Sequence, residues 1–180
     1  MPHTFDRKQW IVVDSLADII LENVEGCIVD IGFGMSTIVL ADYAKKWGRK
    51  QYSCDISEKI INKYGGKLHD KHIIFVGKSL DFIASFNDIV ALAFIDGEHI
   101  ANTVRKEAIV LLDHMSTYGV LFLHDTFPPE CLVRENGKKC GDVYKVRQEF
   151  ERKGNLWCFT WPYVKQAEGC GLTMIMKKMQ

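Results

Sequence analysis

Apolar residues at Val13, Leu16, Ala17, Ile20 and Val24 follow the i, i+3, i+4, i+7 spacing of an amphipathic helix, which the chain predicts to end near Gly26. Cys27-Ile28-Val29-Asp30-Ile31 then reads as a short strand, stopped by Gly32-Phe33-Gly34. Ser36 or Thr37 can cap a second helix, on which Val39, Leu40, Tyr43, Ala44 and Trp47 recur at helical spacing before Gly48. The rhythm repeats. Residues 51–54 form a strand ending at Asp55, Ser57 caps a short helix closed by Gly65-Gly66, and residues 72–76 form a third strand. Gly77 turns into one or two helical turns over 79–86. The continuous apolar run 90–95 predicts a strand buried on both sheet faces. Asn102 or Thr103 caps a helix bearing Val104, Ala108, Leu111, Leu112 and Met115; residues 116–119 read as a turn and 120–123 as a fifth strand.

Past Asp125 the texture changes. Pro128-Pro129 and a polar stretch over 134–139 make a connection longer than usual, and such loops often border a functional site. Asp142 then reads as the cap of a helix running through Arg152, followed by strands at 156–161 and 172–176 with no helix between them. Strands alternating with helices, closed by two adjacent strands, predict an α/β fold. It is a doubly wound, mostly parallel, seven-stranded Rossmann-like sheet with an antiparallel C-terminal edge hairpin. No repeat, low-complexity tract or interdomain linker interrupts it, so residues 1–180 read as a single domain.

Composition narrows the function classes. The 180 residues carry 23 Lys+Arg against 23 Asp+Glu, which removes the bulk positive field that drives nucleic-acid or anionic-membrane binding. The apolar run 89–95 falls far short of the about 20 residues a membrane span needs, and the acidic first 25 residues do not resemble a secretory signal. A cytoplasmic protein is expected. The six cysteines form no C-x-x-C pair and read as free, mostly structural thiols.

The glycine turn carries the chemistry. Glycines after a strand let a ligand approach the backbone, and the helix that follows offers unpaired N–H groups. Thr37 stands where a dinucleotide fingerprint wants its third glycine, and Asp30 places an acid two residues before Gly32. That acid disfavours a pyrophosphate and suits a ligand with an ammonium group. Asp55, at the end of the second strand, can accept bonds from both ribose hydroxyls. Together these residues describe an adenosine ligand with a cationic tail. The bland alternative is a tight structural turn with two surface acids.

Val29-Asp30-Ile31-Gly32-Phe33-Gly34 with Asp55 resembles the S-adenosylmethionine site of class I methyltransferases. Phe94-Ile95-Asp96-Gly97-Glu98-His99, Leu123-His124-Asp125-Thr126 and Cys140-Gly141-Asp142-Val143-Tyr144-Lys145 resemble the small O-methyltransferase-like branch that includes macrolide-sugar methyltransferases and cephalosporin-hydroxylase relatives. The resemblance spans residues 10–176. It implies S-adenosyl-L-methionine as cofactor. Asp30, Gly32, Phe33, Gly34 and Ser36 would hold its methionine end, Asp55 with Ile56 the ribose side, Gly77 and Ser79 the adenine side, and Asp96 would also contact it.

Asp96 and His99 leave the fourth strand, and His124 and Asp125 leave the fifth, all at the edge where the glycine turn lies. Two carboxylates and one or two imidazoles could hold a divalent ion that orients a substrate hydroxyl and lowers its pKa, and His99 could take the proton. The resemblance implies the same: magnesium on positions matching Asp96 and Asp125, and a histidine base matching His99. His124 stands where those relatives often carry glutamate, and Thr126 where catechol-type enzymes carry asparagine. A divalent metal, Mg²⁺ or Mn²⁺, held by Asp96, Asp125 and His124 therefore stays one of two open alternatives, with a softer ion favoured if His124 takes part. Lys145 lies where it could reach the cluster, although a solvated helix-face lysine is the competing reading.

Two further features have bland explanations. The basic residues Arg134, Lys138, Lys139, Lys145 and Arg147 interleave with Glu130, Glu135 and Asp142 and read as solvated. Trp157, Phe159, Trp161 and Tyr163 alternate at strand spacing, and read as one strand face packed on the core rather than a stacking platform. The sequence thus predicts transfer of a methyl group to a hydroxyl of a small molecule or glycan. Rival expectations are a nicotinamide-dependent oxidoreductase and a non-catalytic cofactor-binding module. No membrane or nucleic-acid partner is expected. With no long segment ahead of the first helix to cover the site, a homo-oligomer in which another subunit does so is left open.

Overall fold

The computed structural model describes residues 7–127, 141–162 and 171–179, with side chains from residue 11 onward. The basic stretch at 134–139, Cys131, Cys140, Cys170 and Tyr163 lie outside the described residues. The elements run α1 (Arg7–Asn23), β1 (Cys27–Ile31), α2 (Met35–Lys46), β2 (Gln51–Asp55), α3 (Glu58–Lys63), β3 (His72–Val76) and α4 (Ser79–Ala84). They continue with β4 (Val90–Ile95), α5 (Ala101–His114), β5 (Met115–His124), α6 (Tyr144–Glu151), β6 (Leu156–Trp161) and β7 (Leu172–Lys177). The sheet order is β3-β2-β1-β4-β5-β7-β6. Strands β1 to β5 pair in parallel, and β7 pairs antiparallel with both β5 and β6. The expected doubly wound sheet with an antiparallel C-terminal edge is borne out.

Alternation along each strand divides the core between two faces. Val29 and Ile31 of β1 with Ala93 and Ile95 of β4 pack beneath Phe82, Val104, Leu111, Val146 and Phe150 of the helices α4, α5 and α6. Ile28, Leu92 and Phe94 face the other way, against Val13, Ala17 and Leu21 of α1 and Leu40 of α2. Every residue of β1 and β4 is buried, as expected for parallel strands covered on both faces. Cys27 and Cys54 sit in this core, and burial pushes both thiols up to about 12, the inert state expected of structural thiols.

Four local expectations are corrected. Residues 116–119 belong to β5 rather than to a separate turn. The register against β4 moves from Val90↔Met115 to Leu92↔Val120, so extra residues are looped into the strand, and Tyr118 takes a positive φ of 68° to fit them. Neither Asn102 nor Thr103 caps α5, which starts at Ala101 without a local side-chain cap. Asp142 supplies it from elsewhere: its Oδ1 accepts the Ala101 N–H at 2.6 Å. It therefore caps α5 and not the helix that follows it. Trp157 and Phe159 are about half exposed instead of packed on the core. They lie on the edge strand β6, with their rings stacked 6.5 Å apart and the Lys178 ammonium 4.4 Å over Trp157.

Candidate active site

The order of the sheet reverses between β1 and β4, and at such a switch point the two strand ends open a crevice for ligands. The glycine turn leaves β1 on one side of it. Gly32 adopts φ 98°, and a Cβ there would stand 2.3 Å from the Asp96 carbonyl oxygen. Only glycine lets the turn lie against the end of β4, where the Asp96 N–H also donates to the Ile31 carbonyl at 2.8 Å. Gly34 differs: its φ is an ordinary extended value, and a Cβ there would meet nothing within 4 Å. The turn is thus tight on its inner side and open at Gly34.

Hydrogen bonds to side chains of α2 and β2 hold the turn in place. The Gly34 N–H donates to Thr37 Oγ1 at 2.9 Å, and that hydroxyl donates to Asp30 Oδ2. Asp30 is fully buried because its position on β1 points it toward α2, and its Oδ1 finds no hydrogen-bond partner among the described residues. Burial pushes its pKa up to about 7, against the stabilising hydroxyls of Thr37 and Ser36 and helped by the charges of Asp96 and Asp55. From the other side, Asp55 Oδ2 accepts the Phe33 N–H at 3.0 Å and Oδ1 accepts the Ser57 N–H at 2.7 Å. Each oxygen keeps a further lone pair. The Phe33 ring is buried and stacks on His72, so this residue faces the crevice through its backbone. Ile56, in contrast, is 71% exposed beside Asp55. Gly77 closes the neighbouring turn, its N–H bonded to the Asp55 carbonyl at 2.9 Å, and Ser79 opens α4 just beyond.

Across the crevice, β4 and β5 deliver the second group. His124 Nδ1 lies 2.8 Å from Asp96 Oδ1 and 3.3 Å from Asp125 Oδ1. His99 spans the same carboxylates, with Nδ1 3.0 Å from Asp125 Oδ2 and Nε2 3.4 Å from Asp96 Oδ1. Asp125 is buried in a left-handed backbone conformation, φ 58°, a strained state that functional sites often retain. Burial alone would depress His99, but the two carboxylates overcome it and push the imidazole up to about 10. Burial opposes ionisation of Asp96 as well, and the His124 and His99 rings still hold it well below the usual carboxylate range. Asp125 is lowered by the same neighbours. Ligand atoms of Asp96, His124 and Asp125 all lie within 4.8 Å of one another, a spacing and donor set that fit a divalent ion.

The segment that resumes at Gly141 docks on this group. Gly141 packs so closely on His99 that a Cβ would overlap the His99 carbonyl oxygen, and the Asp142 N–H donates to that carbonyl at 3.1 Å. Lys145 turns outward, half exposed, and pairs with Asp142 at 3.1 Å. The structure therefore brings Asp96, His99, His124 and Asp125 together and sets Lys145 on the adjoining surface. Sequence reasoning passed over Glu107, a fully buried acid on α5 whose Oε1 accepts the Ser79 hydroxyl. The signal was legible: Glu107 falls between Val104 and Leu111 on the apolar stripe of α5, where a charged residue is out of place.

A family model described as a methyltransferase domain matches residues 29–126, more than half of the chain. The chain belongs to this methyltransferase family. Its resemblance to class I S-adenosylmethionine-dependent methyltransferases is thereby borne out, and the oxidoreductase reading falls away. Among solved structures, the cofactor-bound protein Rv0187 from MTB is similar with a TM-score of 0.75 and 17% identity, over 98% of this chain and 82% of that one. The O-methyltransferase TomG from Streptomyces achromogenes, in complex with SAM, gives a TM-score of 0.70 and 14% identity over 97% and 82%. The O-methyltransferase from Bacillus cereus, in complex with SAH, gives 0.68 and 14% over 98% and 83%. These likenesses share the methyltransferase's fold. No curated protein matches the chain. No helix among the described residues is long and apolar enough to cross a membrane.

Proposed function

We propose that this methyltransferase carries a methyl group from S-adenosylmethionine to a hydroxyl of a small molecule or glycan, within one domain. The observation that carries this reading is the meeting, at one switch point, of an open glycine turn and the group Asp96, His99, His124 and Asp125. Two structural neighbours with SAM or SAH bound are themselves O-methyltransferases, which favours this donor and a hydroxyl acceptor.

When bound, the donor supplies an electrophilic methyl on a cationic sulfonium. The turn at Gly32, Phe33 and Gly34 offers it close backbone approach, and Ser36 lies in the first turn of α2 behind. Asp30 supports the methionine end from beneath, where its buried Oδ1, without a hydrogen-bond partner among the described residues, would have its ionised form favoured by a cationic ligand. Asp55 keeps lone pairs for the ribose hydroxyls, Ile56 gives an apolar surface at the rim, and Gly77 and Ser79 border the adenine. Asp96, Asp125 and His124 would hold a divalent ion, which would lower the pKa of an acceptor hydroxyl. His99 holds its proton while both carboxylates are ionised. It can accept one from the acceptor oxygen once their charge is balanced otherwise.

Calorimetric titration with S-adenosylhomocysteine tests the donor, and transfer of a labelled methyl to matched alcohol and amine acceptors tests the chemistry. Binding of the product, transfer to hydroxyls, and loss of transfer in His99→Ala and Asp96→Ala with product binding retained are expected. Absence of binding, or transfer to amines alone, would overturn the reading.

A further inference from the structure

The fully buried Glu107 stands behind a residue assigned above to the adenine side. Its Oε1 accepts the hydroxyl proton of Ser79 across 28 positions of sequence, joining the first residue of α4 to the middle of α5. The other oxygen, Oε2, has no hydrogen-bond partner among the described residues. Burial pushes the Glu107 carboxyl up to about 7, with the Ser79 bond opposing and the Glu98 charge adding to the rise. A carboxyl kept inside an apolar stripe with one oxygen unsatisfied is costly for a helix that packing alone would hold. Ser79 itself remains partly exposed, while Glu107 grips its hydroxyl from the buried side.

A serine hydroxyl has one proton and two lone pairs. Once the proton is committed to an ionised Glu107, Ser79 can only accept from whatever reaches its open side. An exocyclic amino group donates, whereas the carbonyl of a hypoxanthine at the same ring position does not. We propose that Glu107 is a positioning residue that fixes Ser79 as a hydrogen-bond acceptor and so makes the donor site select adenine, through its amino group, over hypoxanthine. The inference rests on the proposed S-adenosylmethionine site.

Calorimetric affinities for S-adenosylhomocysteine and its inosine analogue, S-inosylhomocysteine, measured well above neutral pH so that Glu107 is ionised, give the selectivity ratio. The wild-type protein should favour the adenine compound about tenfold or more, since the mismatched base leaves polar groups unpaired. Glu107→Met fills the same space without an acceptor, frees the Ser79 hydroxyl to rotate, and should bring the ratio close to one. Glu107→Gln keeps an acceptor oxygen and should retain the preference, which a purely steric role for the side chain does not require. Ser79→Ala should lose the ratio by itself, and adding Glu107→Met to it should change nothing further. An unchanged ratio in Glu107→Met, or in Ser79→Ala if the core variant does not fold, overturns the inference while leaving the donor assignment standing. A wild-type protein that binds neither compound overturns both.

Discussion

Replacing Asp142 by Ala probes how the segment beginning at Gly141 is fastened to the start of α5 beside the candidate site. Asp142 Oδ1 accepts the first N–H of α5 at 2.6 Å, and the helix has no local side-chain cap of its own. Loss of such a cap costs about 1 kcal/mol, within a range of roughly 0.5–2. The pair with Lys145 has both partners well exposed and adds little in high-dielectric solvent. The substitution should therefore cost about 1 kcal/mol, which lowers the melting temperature by about 2–4 °C for a domain of this size. Urea unfolding followed by tryptophan fluorescence measures the loss. Lys145→Ala should have a much smaller effect, and added salt should erase that smaller effect but not the larger one. Asp142→Asn, which keeps an acceptor oxygen, should fall between the two. An Asp142→Ala variant no less stable than Lys145→Ala would refute the non-local cap.

Other perturbations separate the parts of the site. Gly32→Ala forces a left-handed φ and a Cβ onto the Asp96 carbonyl; destabilisation by about 3 kcal/mol is expected in thermal melts, and a neutral effect would contradict the close approach. The folded-state pKa values of Asp30 and Glu107, both pushed up to about 7, make the folded protein hold more protons than the unfolded chain between about pH 4 and 7. Their contributions to stability are largest below pH 4 and decline as pH rises through that window. Asp30→Asn should consequently gain stability relative to wild type on going from pH 5 to pH 8, and a pH-independent difference would argue against the buried acid. Titration with Mn²⁺ should show binding that weakens at least tenfold in Asp125→Ala and His124→Ala, and equal binding by all three proteins would place the metal elsewhere or dispense with it.

Strands β1 and β4 were legible in the sequence because burial on both faces writes short, continuous apolar runs, and both begin and end where those runs do; β3 and β6 also match their runs, although these edge strands stay partly exposed. The site acids were legible for a related reason: Asp30, Asp55, Asp96 and Asp125 interrupt or end apolar strands, so their chain positions place them at one sheet edge. Features missed by this reading depend on partners distant in sequence. Asp142 looks like the cap of its own helix until the fold brings Ala101 beside it, and the irregular start of β5 is dictated by its register on β4. Trp157 and Phe159 alternate like core residues, but β6 is the last strand of the sheet, and a periodic pattern does not reveal whether a layer covers it.

The contact between Gly32 and the end of β4 bears on how accurately two reactants can be held. A donor cradled by the turn and an acceptor oriented by Asp96 would be referenced to the ends of two directly paired strands, tied at the crevice by the Asp96 N–H on the Ile31 carbonyl, with no side chain between them to act as a compressible spacer. Positional error then accumulates over a few stiff covalent links rather than over a chain of rotatable groups. Substitutions in the outer shell of this protein should accordingly alter which acceptor is admitted long before they detune the distance over which the methyl must pass.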